Sequence, residues 1–246
     1  VKDIRRIDED DKLKSERGFI KMVIQEKDSI LRTLNCDPSS NLKVYTTMDA
    51  KMQKSMQEVL HKENKRWKDS IKIRLRKEHK DTLINDVLQC ASLCVNKNTG
   101  AIIGMIDGRL DFKKNWINYC FTEKPAGSIF KIFDYYTLFN SHPELTYQNY
   151  VSDKKIEGNY YPASHTMNSE IPIANAVAIS SNIVPFNLVY TNQITLQKVQ
   201  EIASIFGVKV ANPQSLNTLI GQDNVSIIKM VDVYNTVSNE GVRNSF

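Results

Sequence analysis

Residues Lys124-Pro125-Ala126-Gly127-Ser128-Ile129-Phe130-Lys131 decide how this chain is read. A serine followed three positions later by a lysine places a hydroxyl and an amine on one helical face. A desolvated, neutral amine there can take the hydroxyl proton, so the pair is a nucleophile with its own base. The spacing alone carries little, because Ser40/Lys43, Ser152/Lys155 and Ser226/Lys229 share it and solvated surface pairs produce it. Context separates Ser128 from these. Pro125 and Gly127 suit a tight turn ahead of a helix. Ile129, Phe130, Ile132, Phe133, Tyr136, Leu138 and Phe139 are apolar enough for a buried helix. A serine at the N-terminus of such a helix has free backbone N–H groups, which can stabilise an oxyanion and help depress the lysine pKa. Ser180-Ser181-Asn182 supplies a second element. Its first hydroxyl can relay the proton, and its amide can hold a substrate amide.

Other segments accompany these two in order. Lys43-Val44-Tyr45-Thr46-Thr47-Met48-Asp49 is followed by Met52-Gln53. Val95 to Arg109 reads as a hairpin about Asn98-Thr99-Gly100. Ile173 to Asn182 ends on the Ser-x-Asn element. Ile220-Gly221-Gln222 and Val233-Tyr234 to Asn239-Glu240-Gly241 come last. Together with Pro125 to Lys131, these segments resemble the transpeptidase domain of penicillin-binding proteins, most closely the bifunctional class A type. The resemblance runs from about Leu42 to the C-terminus. Asn115 to Cys120 departs from the family pattern, and the family's third motif, Lys-Thr/Ser-Gly-Thr, would lie beyond Phe246.

The resemblance implies an α+β fold of the penicillin-binding-protein and serine β-lactamase kind. In it an antiparallel sheet is flanked by helices beside an all-helical subdomain, with C-terminal strands following Phe246. It divides the chain into a linker region at 1–41, which would follow a glycosyltransferase domain, and a C-terminally incomplete transpeptidase domain at 42–246. The implied activity is a D,D-transpeptidase that forms a serine acyl-enzyme with D-Ala-D-Ala stem peptides, cross-links glycan strands and is trapped by β-lactams. Ser128 is then the nucleophile and Lys131 its base. Ser180 shuttles the proton, and Asn182 holds the substrate amide. Gly127, Tyr160 and Tyr161 border the substrate groove. The chemistry calls for no metal or organic cofactor. Peptidoglycan stem peptides, β-lactams and other cell-wall synthesis proteins are the expected partners. The expected location is the periplasm or outer face of a bacterial cytoplasmic membrane, with the anchor upstream. The alternative is a non-catalytic scaffold or binding module of the same fold. A β-lactamase-like hydrolase needs a deacylating base, and no loop glutamate takes that role.

The composition agrees with a globular protein: 246 residues, 41% of them hydrophobic. No stretch approaches the roughly 20 apolar residues of a membrane span, and Val1 to Arg6 has no apolar signal core. The net charge of +5 is concentrated in His61 to Lys80, which reads as a solvated helix face. No nucleic-acid motif accompanies it. Cys36, Cys90, Cys94 and Cys120 lack a metal-binding spacing. On a strand, Cys90 and Cys94 would sit about 13 Å apart, beyond disulfide reach, so buried thiols are expected.

The remaining elements follow from period and punctuation. Phe19 to Leu34 has helical spacing. Val44 to Thr47 reads as a short strand, with Asp49 capping a helix that the basic segment prolongs. Tyr147 to Met167 reads as a long loop. Leu196 to Phe206 and Val225 to Val237 read as amphipathic helices. Trp67 and Trp116 are expected to pack internally, and His165 to lie at the surface.

Overall fold

The computed structural model describes residues 17–37, 42–77, 90–108 and 117–244. These form two compact units. One holds the residues up to Thr122 together with Val231–Phe246, and the other is Glu123–Met230.

In the first unit, α1 (Arg17–Thr33) and α2 (Ala50–Lys77) accompany an antiparallel hairpin of β1 (Ser92–Val95) and β2 (Ile102–Ile106). Asn96 closes the hairpin turn: its carboxamide oxygen accepts the Asn98 and Thr99 N–H groups, and Gly100 turns the chain at φ +74°. Asp49 caps α2 as its sequence position predicts, accepting from Lys51 N and Met52 N. Gln53, 1% exposed, acts as a backbone mimic. Its carboxamide donates to Met105 O at 2.9 Å and accepts from Met105 N at 2.8 Å, joining α2 to the edge of β2. The stretch 44–47 is not a strand. Among the described residues, it and the Asp49 that follows meet β2 through Thr47 Oγ1 to Ile102 O and Asp49 N to Ile103 O, too few bonds for a ladder.

Trp67 is a correction of another kind, since its side chain is 57% exposed on α2. Trp116 lies outside the described residues. The four cysteines are free thiols, with Cys36 exposed, Cys90 and Cys94 half-buried, and Cys120 alone fully buried. Burial pushes the Cys120 thiol up to about 12.

The second unit is helical around two short ribbons. It contains β3 (Lys124–Pro125), a 3₁₀ helix at Gly127–Lys131, α3 (Ile132–Ser141), β4 (Tyr150–Ser152), β5 (Glu170–Pro172), α4 (Ile173–Ala178), α5 (Ile183–Tyr190), α6 (Leu196–Ile205), a second 3₁₀ helix at Leu216–Ile220 and β6 (Asn224–Val225). The final helix, α7 (Ile227–Ser238), begins here. β3 pairs with β6 and β4 with β5, both antiparallel. The antiparallel character expected from the sequence therefore appears among the described residues as three two-stranded ribbons. β4 occupies the start of the expected 147–167 loop, where Val151 is buried against Ile171 of β5.

Phe130, Phe133, Leu138, Ile183, Val184, Phe186 and Leu188 build the core of this unit, none more than 1% exposed. Each such side chain contributes roughly 1.5–3 kcal/mol by leaving water. Phe130 and Phe133 meet edge to face with centroids 4.9 Å apart, and Phe133 lies 5.9 Å from Phe206 at the end of α6. This aromatic stack fixes the helix that carries Lys131.

Candidate active site

The turn before Ser128 is held by backbone alone. Ala126 N donates to Asp223 O at 3.0 Å, and Gly127 N donates to Gly221 O at 2.9 Å. Gly127 has φ +60° and Gly221 φ +76°. A Cβ on Gly221 would stand 2.0 Å from Gly127 O, so only glycine fits there. Asp223, 6% exposed, anchors that segment by accepting from Thr218 Oγ1 and Ala211 N, each at 2.8 Å. Ser128 then stands exposed in the five-residue 3₁₀ helix, ahead of α3.

Lys131 ends that 3₁₀ helix and points inward, 4% exposed. Its Nζ donates to Ser180 O at 2.7 Å, Ser180 Oγ at 3.2 Å and Asn182 Oδ1 at 2.5 Å. Both elements singled out by the sequence thus converge on one ammonium. Burial lowers the Lys131 pKa to about 8, while Asp134 one helical turn on opposes the shift. Near neutral pH the amine therefore has an accessible neutral form, which a general base needs. Among the described residues, Ser128 Oγ makes no hydrogen bond.

The Ser180 turn is strained. Ser180 has φ +54°, a conformation costing a non-glycine residue about 1–3 kcal/mol. It follows α4, where Ser180 N donates to Val177 O and Ser181 N to Ala176 O, both at 3.0 Å. Ser181, 3% exposed, caps α5: its Oγ accepts from Ile183 N at 3.0 Å and Val184 N at 3.2 Å. The Ser181 hydroxyl donates in turn to Asp153 Oδ1 at 2.5 Å.

Asp153 is fully buried just past β4. Its other carboxylate oxygen accepts from Met167 N and from Thr166 Oγ1, and its carbonyl also accepts from Thr166 Oγ1. Sequence reasoning missed Asp153, Ser181 and Gly221 as site-building residues. Ser181 carried a signal, a hydroxyl just ahead of the apolar run Ile183-Val184.

Asp134 lies under Lys131, fully buried, and neither of its carboxylate oxygens has a hydrogen-bond partner among the described residues. Burial pushes its carboxyl well above the ordinary range, with Lys131 pulling the other way. Tyr135 beside it is also raised, by burial first and then by Asp134 and Asp153.

Gly127 belongs to the turn beside Ser128. The two tyrosines expected at the groove differ from each other. Tyr160 is 59% exposed. Tyr161 donates its hydroxyl to Asn187 Oδ1 and accepts from Ile156 N at 3.0 Å, which ties its polar end to the loop's own framework. Asn187 also donates to Ser152 O and Lys154 O. His165 is exposed, as expected. The other Ser-x-x-Lys pairs have no such setting: Ser152 lies in β4, Ser226 caps the start of α7, and Ser40 falls outside the described residues. Among the described residues, no group of three or more His, Cys, Asp or Glu side chains could hold a metal ion, and no helix is long and apolar enough to cross a membrane.

Comparison with known proteins gives three kinds of result. The family described as penicillin binding protein transpeptidase domain matches residues 91–246. No curated protein sequence matches the chain. Among solved structures, the penicillin-binding protein PonA1 from Mycobacterium tuberculosis superposes with a TM-score of 0.63 at 18% identity, covering 92% of this chain and 59% of that one. PonA1 in complex with penicillin V gives a TM-score of 0.60 at 17% identity, covering 92% and 60%. Penicillin-binding protein 1A from Haemophilus influenzae gives 0.51 at 18% identity, covering 63% and 24%. The chain thus spans less than two thirds of the length of these structures.

Proposed function

The chain belongs to the penicillin-binding protein transpeptidase domain family, and from that premise we propose that it carries a serine acyltransferase site for D-Ala-D-Ala stem peptides. The observation that carries this reading is the Lys131 ammonium, buried three residues after Ser128 and held by Ser180 and Asn182.

In the proposed reaction, neutral Lys131 takes the Ser128 hydroxyl proton as Ser128 Oγ attacks the carbonyl of the terminal peptide bond. The ammonium passes a proton through Ser180 Oγ to the departing D-alanine amine. The C–N bond breaks, and the acyl group remains on Ser128. A stem-peptide amine from a neighbouring strand then attacks the ester, forms the cross-link and restores the Ser128 hydroxyl. Asn182 holds the donor amide, and the N–H of Ser128 contributes to the oxyanion site. A β-lactam enters the same first step, but its ring amine stays tethered. The reaction belongs at the outer face of a bacterial cytoplasmic membrane, where stem peptides and other cell-wall synthesis proteins are found.

One observation favours the scaffold alternative: Ser128 Oγ is not hydrogen-bonded to Lys131. Catalytic hydrogen bonds often tighten only with substrate present, so the geometry is compatible with both readings. Intact-mass spectrometry after incubation with benzylpenicillin separates them. The acyltransferase reading expects one covalent adduct per chain, lost in Ser128→Ala. A folded protein that takes no adduct supports the scaffold.

A further inference from the structure

We propose that Asp153 is the positioning residue of this site, holding Ser180 and Asn182 against Lys131 through Ser181. The proposal rests on the acyl-transfer reading above and adds a residue outside the Ser-x-x-Lys and Ser-x-Asn elements.

A left-handed serine persists only where its surroundings over-determine it. On one side of Ser180 the end of α4 closes through backbone bonds. On the other, beside the Lys131 contacts themselves, the start of α5 is tied down through Ser181. Its Oγ accepts two N–H groups of α5 and has a single proton to give, which goes to Asp153. Asp153 therefore fixes the direction of the Ser181 hydroxyl, and with it the cap that starts α5. The residues on either side of Ser181 supply all three acceptors of the Lys131 ammonium.

The second Asp153 oxygen faces the opposite way and takes donors from Thr166 and Met167, and Asp153 N donates to Ser169 O at 3.0 Å. One buried carboxylate thus connects the loop after β4 to the acceptors of the proposed base. A carboxylate is acceptor-only at both oxygens, and every contact here needs an acceptor. Asparagine is nearly the same shape but has one acceptor and one donor. It cannot serve Ser181 and Met167 together, because its amino group would confront either the Met167 N–H or a Ser181 oxygen that already accepts twice. The charged group that bears on the lysine is Asp134 of α3; Asp153 lies beyond Ser181, and Tyr135 is influenced by both carboxylates.

The test uses Asp153→Asn, Ser181→Ala and the double variant, in the full-length protein where it extends beyond this chain. Three measurements are made: acylation rate constants with benzylpenicillin, thermal melting, and the Lys131 Nζ titration followed by NMR. Displacing reacting groups by about 1 Å can cost 10²-fold, so each single variant should slow acylation roughly 10- to 100-fold. The double variant should lose no more than the worse single one, because both break one chain of contacts. The Lys131 titration should rise toward the ordinary lysine range, because a loosened turn admits water. A purely structural Asp153 would lower the melting temperature while leaving the acylation rate and the Lys131 titration as in the parent, and that result overturns the proposal, as do additive losses. If the parent itself takes no penicillin, the acyl-transfer reading fails, and the NMR titration still decides whether Asp153 holds the turn on Lys131.

Discussion

The turn that presents Ser128 and the turn that presents Ser180 belong to one candidate site but are built by different physics. The first is held by backbone against backbone, with Gly221 pressed onto Gly127 so closely that no side chain fits between them. The second contains no glycine at its left-handed residue, and a buried carboxylate stabilises it through a neighbouring hydroxyl. Steric closeness needs only small residues and tolerates no added volume. A side-chain bridge tolerates volume but fails when one acceptor is lost. The two halves of the site should therefore break under opposite kinds of substitution.

The largest effect is expected at Gly221. A methyl group there overlaps the Gly127 backbone, so Gly221→Ala should cost about 3 kcal/mol of stability and abolish penicillin acylation. Urea denaturation and adduct formation measure the two losses. Gly127→Ala sharpens the contrast. Its Cβ would meet open space, and the penalty reduces to the left-handed conformation, about 1–2 kcal/mol. Equal costs for the two substitutions would show that the close approach does not matter.

At the second turn, Ser180→Ala and Ser180→Gly both remove the hydroxyl proposed to relay the proton, and on that reading both should slow acylation by about 10²-fold. Only glycine relieves the strain at φ +54°. Ser180→Gly should therefore unfold at higher denaturant than Ser180→Ala, by about 1 kcal/mol after the entropy cost of glycine. An alanine variant as stable as the glycine variant would remove the case for stored strain.

The smallest effect is expected at Asp134. A carboxylate beside Lys131 favours its ammonium form and so opposes the lowering by burial. Asp134→Asn removes that opposition. The lysine should lose its proton at lower pH, and the alkaline rise in acylation rate should move toward acid. A profile that stays in place would mean that Asp134 keeps its proton throughout.

The same contrast explains what the sequence could show. Ser128 with Lys131, and Ser180 with Asn182, were legible because their spacings place chemically paired groups on short local elements. α1, α2, α6 and α7 were legible from apolar period and caps such as Asp49. Asp153 was not legible. It is a single acid in a polar stretch, and its role exists only once Ser181, Thr166 and Met167 have been folded around it. Gly221 could be seen as a turn glycine, but not as the residue pressed against Gly127. The stretch 44–47 has strand-like residues, yet α2 reaches β2 through Gln53 and leaves only isolated bonds for that stretch. Trp67 was misread because aromatic content suggests a core, while α2 carries that ring on an exposed face.

The most direct test of the account is the pH dependence of Ser128 acylation by benzylpenicillin, measured from pH 6 to 11 on protein that stays folded across the range. Burial holds Lys131 at about 8. A base must be neutral to accept the serine proton, so the rate should rise through pH 8 and level off above it, and Lys131→Ala should remove the rise. A rate still climbing above pH 10 as an ordinary lysine would, or a flat profile shared by Lys131→Ala, would contradict the claim that a desolvated Lys131 activates Ser128.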